Sequence, residues 1–247
     1  MKKAIILGIL LVFMAGSFSA QILYKEDPPV LIKYEGMGGI FLHTEGFGFN
    51  YRKAKNITFN RRWIWEIDGE TMTHPKEVST TNQYIENAKS YVYGKLNNLY
   101  ILHAGYGRQH ILYGIENKGN VEIRLTYIGG LSLGIAKPVY LDVLTDASQG
   151  TTGEATEKFD PLNPQHPENI IGKASFTYGF DELKLHPGLY GRCGLSFMDK
   201  TENNTVYVLE TGFTFDAYMS KIPIMALTDN NQFYLTFYLN FMIGKKW

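Results

Sequence analysis

The last sixteen residues, Gln232–Trp247, read QFYLTFYLNFMIGKKW. Phe233, Leu235, Phe237, Leu239, Phe241 and Ile243 hold the odd positions and are all large and apolar. Gln232, Tyr234, Thr236, Tyr238, Asn240 and Gly244, at the even positions, are mostly polar or small. Successive side chains leave a strand on opposite faces, so this alternation predicts a strand with one apolar face. A soluble sheet would pack that face on a second layer. Here the run ends on an aromatic, and the other end of the chain reads as a secretion signal. Together they predict the closing strand of an outer-membrane β-barrel whose apolar row touches lipid.

The expected signal is Met1–Ala20. Lys2 and Lys3 supply the positive start, Ala4–Met14 an apolar run, and Ser17-Phe18-Ser19-Ala20 a small-residue cleavage site. That run is too short to span a bilayer as a helix. Its removal would take away two lysines and no acids, leaving 22 basic against 24 acidic side chains. No basic stripe is present to neutralise phosphates, so no nucleic-acid partner is expected. The single cysteine, Cys193, excludes an internal disulfide, and it reads as a small apolar residue beside Leu195 and Phe197. Aromatics make up 14% of the chain, with 17 Tyr and 15 Phe, and no later apolar run is long enough for a spanning helix. These features favour a barrel over a helical membrane protein.

The reading outward from the closing strand gives a periplasmic lead-in over Gln21–Glu35, broken by Asp27-Pro28-Pro29, and a barrel over Gly36–Trp247. In the first strand region, Gly36–Lys53, His43 and Glu45 fall in phase with the apolar row of Phe47, Phe49 and Tyr51. Either they lie in the polar interface or Thr44-Glu45-Gly46 is a turn splitting the stretch in two. Asn60–Glu70 places Trp63, Trp65 and Ile67 outward. Tyr91–Gly114 places Tyr100, Leu102, Ala104 and Tyr106 outward and His103 inward. Val121–Leu144, Leu189–Met198 and Thr205–Tyr218 alternate likewise. Asn117–Asn120 and Asp199–Asn204 read as turns. Thr71–Ser90 reads as a connection, partly helical, Thr145–Pro167 as a mobile loop, and Glu168–Lys184 as a short amphipathic helix at the barrel mouth, or else a strand. Seven strand regions are secure, and an even count makes eight the expected number.

The chemistry sits on the inward rows. Arg52, Arg62, Arg124 and Arg192 face Glu66, Asp68, Glu122, Glu210 and Asp216. In a narrow barrel filled by side chains such charges must pair, because an unpaired buried charge costs several kcal/mol. They are expected to form a structural charge ladder. The alternative is a path for ions or protons, which would make the protein a narrow pore. Trp63 and Trp65, with Phe233, Phe237, Phe241 and Trp247, suit an aromatic girdle and closing strand.

Catalytic readings are thinner. His43 and Glu45, two residues apart, could support a hydroxyl nucleophile acting on lipid A, as an acyl hydrolase would, but no serine partner is identifiable nearby. Glu154, Glu157 and Asp160 lie near His166 without metal-ligand spacing, and phosphate-binding glycine loops, CxxC pairs and HExxH are absent. No catalytic residue, metal or cofactor is therefore expected.

Several phrases carry a resemblance: Tyr93-Gly94-Lys95-Leu96-Asn97, Gly105-Tyr106-Gly107, Gly129–Gly134 followed by Lys137-Pro138-Val139-Tyr140-Leu141, Pro223-Ile224-Met225-Ala226, and the terminal Gly244-Lys245-Lys246-Trp247. Together the chain resembles small outer-membrane barrel proteins of Bacteroidota-type bacteria. The resemblance implies a non-enzymatic barrel in outer-membrane lipid, serving as an accessory subunit beside an outer-membrane protein partner in barrel assembly or secretion.

Overall fold

The computed structural model describes residues 34–58, 60–113, 121–147, 151–162, 166–200, 204–226 and 228–247. The expected signal, most of the lead-in, the Asn117–Asn120 turn and the centre of the Asp199–Asn204 turn lie outside the described residues.

The strands in chain order are β1 (Tyr34–His43), β2 (Gly46–Asn56), β3 (Arg61–Met72), β4 (Ser79–Thr80), β5 (Tyr91–Val92), β6 (Asn97–Tyr113), β7 (Glu122–Pro138), β8 (Tyr140–Ala147), β9 (Thr151–Lys158), β10 (Ile170–Lys173), β11 (Lys184–Lys200), β12 (Thr205–Tyr218) and β13 (Phe233–Lys246). Eight of them close an antiparallel barrel in the order β1-β13-β12-β11-β7-β6-β3-β2. Closure pairs the first strand with the last, with Ile40 opposite Phe241 and Gly36 opposite Lys245. Closure leaves no free edge in the barrel itself.

The first strand region is a hairpin. His43 pairs with Gly46 across the two-residue turn Thr44-Glu45. Directly opposed residues share a face, so the turn resets the phase between the two strands. Met37, Phe41 and His43 of β1 therefore point into the barrel, while Phe47 and Phe49 of β2 point out. The split also fixes which connections share an end. The Thr44-Glu45 turn and the described parts of the long connections 73–96, 139–183 and 219–232 lie at one end; the described termini and the last residues of β2, β6 and β11 lie at the other.

Four expectations are corrected. Glu35 belongs to β1, where it is buried, and not to the lead-in. Thr145–Pro167 is not an open loop, because β8 and β9 form a hairpin along most of it. Its threonines favour extended backbone as readily as loop. No amphipathic helix covers Glu168–Lys184: after one 3-10 turn at Pro167–Asn169, β10 pairs with β8. Backbone pairing with a ready edge has overridden a weak helical period, and Gly179 at φ +83° ends any regular run. Thr71–Ser90 likewise contains the end of β3 and the short β4 and no helix.

The long connections fold together as a cap. Leu141, Val143, Phe159 and Ile170 bury a small core with Tyr91 and Ala226. Asn82 Nδ2 donates to the carbonyls of Pro167, Glu168 and Ile170 at 3.2, 2.8 and 2.9 Å. Beneath the cap, Ile222, Ile224 and Met225 of connection 219–232 pack with Met72, Leu99, Ile101 and Tyr234 from the barrel wall. This apolar layer stoppers the mouth.

Candidate functional site: the charged bore

The outward and inward rows invert the pattern of a soluble protein. Phe237 is 61% exposed on the outside, whereas Glu66, Glu210 and Asp216 are 0% exposed inside. Alternation produces this: in β13, Phe233 through Ile243 are exposed at odd numbers, and Tyr234, Thr236, Tyr238, Asn240 and Met242 are buried at even ones.

The inward charges stack in three tiers. Nearest the termini, Arg62 Nη1 donates to Glu35 Oε2 at 2.6 Å and Arg124 Nε donates to Glu122 Oε1 at 2.5 Å. Arg124 Nη1 also reaches Glu35 Oε1 at 3.2 Å, and Arg62 Nη2 reaches Glu122 Oε1 at 3.5 Å. Two arginines and two glutamates thus form a closed square.

The middle tier crosses the bore. Arg52 grips Glu210 with both terminal nitrogens, at 2.5 and 2.8 Å, and gives its Nε–H to Glu66 at 2.5 Å. Arg192 binds the other oxygen of Glu66 and also reaches Asp68 Oδ2 at 2.9 Å. Ser196 and Tyr238 hydroxyls complete Glu210 at 2.5 and 2.9 Å. Tyr238 has room because Gly194 lies beneath it; a Cβ there would stand 2.3 Å from the tyrosine oxygen. Gly105 makes the same space for Tyr190.

The tier nearest the cap is built around His103. Its Nδ1 lies 2.7 Å from Asp68 Oδ1 and its Nε2 lies 2.8 Å from Asp216 Oδ1, with the ring stacked on Tyr190 at 4.2 Å. Ser132 donates to Asp216 at 2.9 Å. Glu70, 5% exposed, sits one rung above Asp68, and among the described residues its Oε1 has no hydrogen-bond partner.

The structure brings Arg52, Arg62, Glu66, Asp68, Glu122, Arg124, Arg192, Glu210 and Asp216 into one connected bore. It adds Glu35, Glu70 and His103, which sequence reading left out of the charged set. Their signal was phase: Glu70 continues the inward row of Glu66 and Asp68, and His103 lies on the inward row of β6.

The girdle residues separate into two places. Trp63 is stacked on Tyr106 at 4.9 Å and lies under the Arg108 guanidinium at 4.2 Å. It pairs with Lys55, which pairs with Tyr34, and Tyr34 exchanges backbone hydrogen bonds with Trp247. Trp63 and Trp247 therefore share the terminal end. Trp65 lies one rung further in, and Phe241 and Phe237 follow along β13 to Phe233, which stacks on Phe215 at the cap end.

His43 is not presented to lipid. Its side chain is 1% exposed, Nε2 lies 3.1 Å from the Thr71 carbonyl, and Nδ1 accepts from the Glu45 N–H at 3.4 Å. Nδ1 thus serves the turn, while Nε2 faces β3, with Glu70 Oε2 3.8 Å away. Glu154, Glu157 and His166 are exposed on the cap, and Asp160 accepts from the Leu162 N–H.

The fold and bore define a class: a closed eight-stranded barrel with a charge-filled interior and a stoppered mouth. No protein-family model matches the chain, and no curated protein does. Among solved structures, Ail, the attachment invasion locus protein of Yersinia pestis, is similar over 88% of this chain and 100% of its own, with 10% identity and a TM-score of 0.43. Neisserial surface protein A is similar over 87% of this chain and 97% of its own, at 9% identity and TM-score 0.41. The N-terminal β-barrel domain of Pseudomonas aeruginosa OprF covers 87% and 98%, at 9% identity and TM-score 0.34. The barrel assignment here stands on strand pairing, not on these likenesses.

Proposed function

We propose that this chain is a non-enzymatic, integral outer-membrane barrel, plugged by its own side chains, whose cap docks an outer-membrane protein partner. The observation that carries the reading is the inverted surface: a continuous apolar exterior around a closed ring of strands. Burying a face of this kind in lipid removes it from water at about 25 cal/mol per Å². On this reading Met1–Ala20 is cleaved on export, and the termini and shorter connections face the periplasm. The cap then lies outside the cell.

The accessory role is supported by the cap. A bare anchor needs only turns, whereas here three connections share a core and expose Val78, Tyr84 and Leu162 to solvent. A cap ordered by its own core, rather than any single exposed residue on it, is what suits this end to a protein contact. A complex for barrel assembly or secretion is the expected setting.

Two experiments test this. Membrane fractionation should place the protein in the outer membrane, with faster gel migration before boiling than after; recovery in the soluble periplasm would overturn the membrane reading. Crosslinking and pull-down from detergent-solubilised outer membranes should recover a defined partner through the cap. Recovery of the monomer alone would remove the accessory role and leave the barrel reading intact.

A further inference from the structure

The three tiers of the bore are unequal in charge. Near the termini, Arg62 and Arg124 balance Glu35 and Glu122. In the middle, Arg52 and Arg192 balance Glu66 and Glu210. The tier nearest the cap holds Asp68, Glu70 and Asp216 and has no arginine of its own; it borrows one contact from Arg192. The acid excess of the interior is thus confined to one place, around His103.

Uncompensated carboxylates in a dry interior are expensive and demand a cation or a proton. Here the donors already converge. One ligating atom each from Asp68, Glu70 and His103 lie within 4.8 Å of one another, and all three residues are buried. Among the described residues Glu70 Oε1 has no hydrogen-bond partner, and its Oε2 lies 3.8 Å from His43 Nε2. Asp216 holds His103 from the far side through Nε2, the arrangement in which an outer carboxylate fixes the tautomer and orientation of a metal-bound imidazole.

We propose that Asp68, Glu70 and His103 form a site for one divalent transition cation, with Zn²⁺ as the probe. One nitrogen and two carboxylates match the preferences of Zn²⁺ and Mn²⁺ and differ from the all-oxygen shells of Ca²⁺ and Mg²⁺. The cation takes His103 Nδ1, Asp68 Oδ1 and Glu70 Oε1. It replaces the proton shared between Nδ1 and Asp68, which is released to solvent, while Nε2–H stays donated to Asp216. Metal–ligand bonds of about 2.0–2.2 Å in a tetrahedral shell set ligand atoms roughly 3.4 Å apart, so His103 Nδ1 and Asp68 Oδ1 part from their 2.7 Å contact as the ion enters between them and Glu70. The sequence hid this site because Asp68 and His103 are 35 residues apart and meet only through the pairing of β3 with β6.

The full chain in detergent, freed of metal by chelation and either loaded when folded or refolded with Zn²⁺, is dialysed and assayed for bound metal. The expected result is one Zn²⁺ per chain, with X-ray absorption showing one imidazole and otherwise oxygen ligands. Glu70→Gln and His103→Gln should lose the metal, and Asp216→Asn should weaken binding by about 10–100-fold. Glu154→Gln on the cap should bind as the parent does. Sub-stoichiometric metal in the parent, a shell without imidazole, or full binding in both Glu70→Gln and His103→Gln would overturn the proposal. The absorption measurement needs no variant, so failure of a variant to fold does not decide the matter.

Discussion

Arg52 on β2 and Glu210 on β12 face each other across the bore in a two-pronged ion pair, at 2.5 and 2.8 Å, with both side chains shielded from solvent. They are 158 residues apart in sequence and stand on strands separated in the ring by β1 and β13. Arg52→Met should therefore cost about 3–5 kcal/mol, the penalty of leaving a buried charge unpaired. Adding Glu210→Met should recover a large part of it. Denaturant unfolding from detergent or vesicles measures both, and equal stability of the single and double variants would contradict the pairing.

Arg124 closes the terminal square with Glu122 and Glu35. Arg124→Met is expected to lower unfolding stability without raising conductance in planar bilayers, because the apolar layer of Ile222, Ile224 and Met225 still stoppers the mouth. Steady ion current through the variant would favour the pore reading.

Gly194 leaves space for Tyr238, whose hydroxyl donates to Glu210. Gly194→Ala must push the tyrosine aside and break that bond, at a cost of about 1–3 kcal/mol from overpacking. Combining it with Tyr238→Phe should give less than the sum of the two single effects, and strict additivity would argue against the contact.

Asn230 holds the stopper. Its Oδ1 accepts from the Ile224 and Met225 N–H groups at 2.8 and 3.2 Å, and its Nδ2 donates to the Met225 carbonyl. Asn230→Ala leaves these groups unsatisfied and is expected to loosen connection 219–232 while the barrel persists. Limited proteolysis should then cut there first, and unchanged resistance would show that the layer is held by packing alone.

Glu45, in the turn outside the spanning strands, has its carboxyl pushed up by burial. A folded-state value above the unfolded one means that ionisation opposes folding. The penalty is absent below the unfolded value of about 4.3 and complete once pH exceeds the folded one. Glu45→Gln should thus stabilise the protein at neutral pH and be neutral under acid conditions. Stabilisation confined to low pH would reverse the sign.

How much of this was legible in the sequence differs by feature. Alternation in Gln232–Trp247 and Val121–Ile135 carried both strand identity and facing, because a period of two leaves no other geometry. It left His43 open between a place in the interface and a turn at Thr44-Glu45-Gly46; the structure has the turn, whose two residues reset the phase and send His43 inward. The cap escaped for another reason: β8, β9 and β10 are short, and their pairing depends on segments brought together only by barrel closure. Which residues face the bore followed from phase; which acid meets which arginine follows from ring order and register.

The central claim is that the apolar exterior faces lipid. Nitroxide labels placed singly at positions 235, 237, 239 and 241, in a Cys193→Ser background and in reconstituted vesicles, report it through collision with oxygen or with a water-soluble nickel complex. The account predicts high oxygen access and low nickel access at all four, most markedly at the two central positions. High nickel access throughout would mean that the row faces water, and the membrane barrel reading would be wrong.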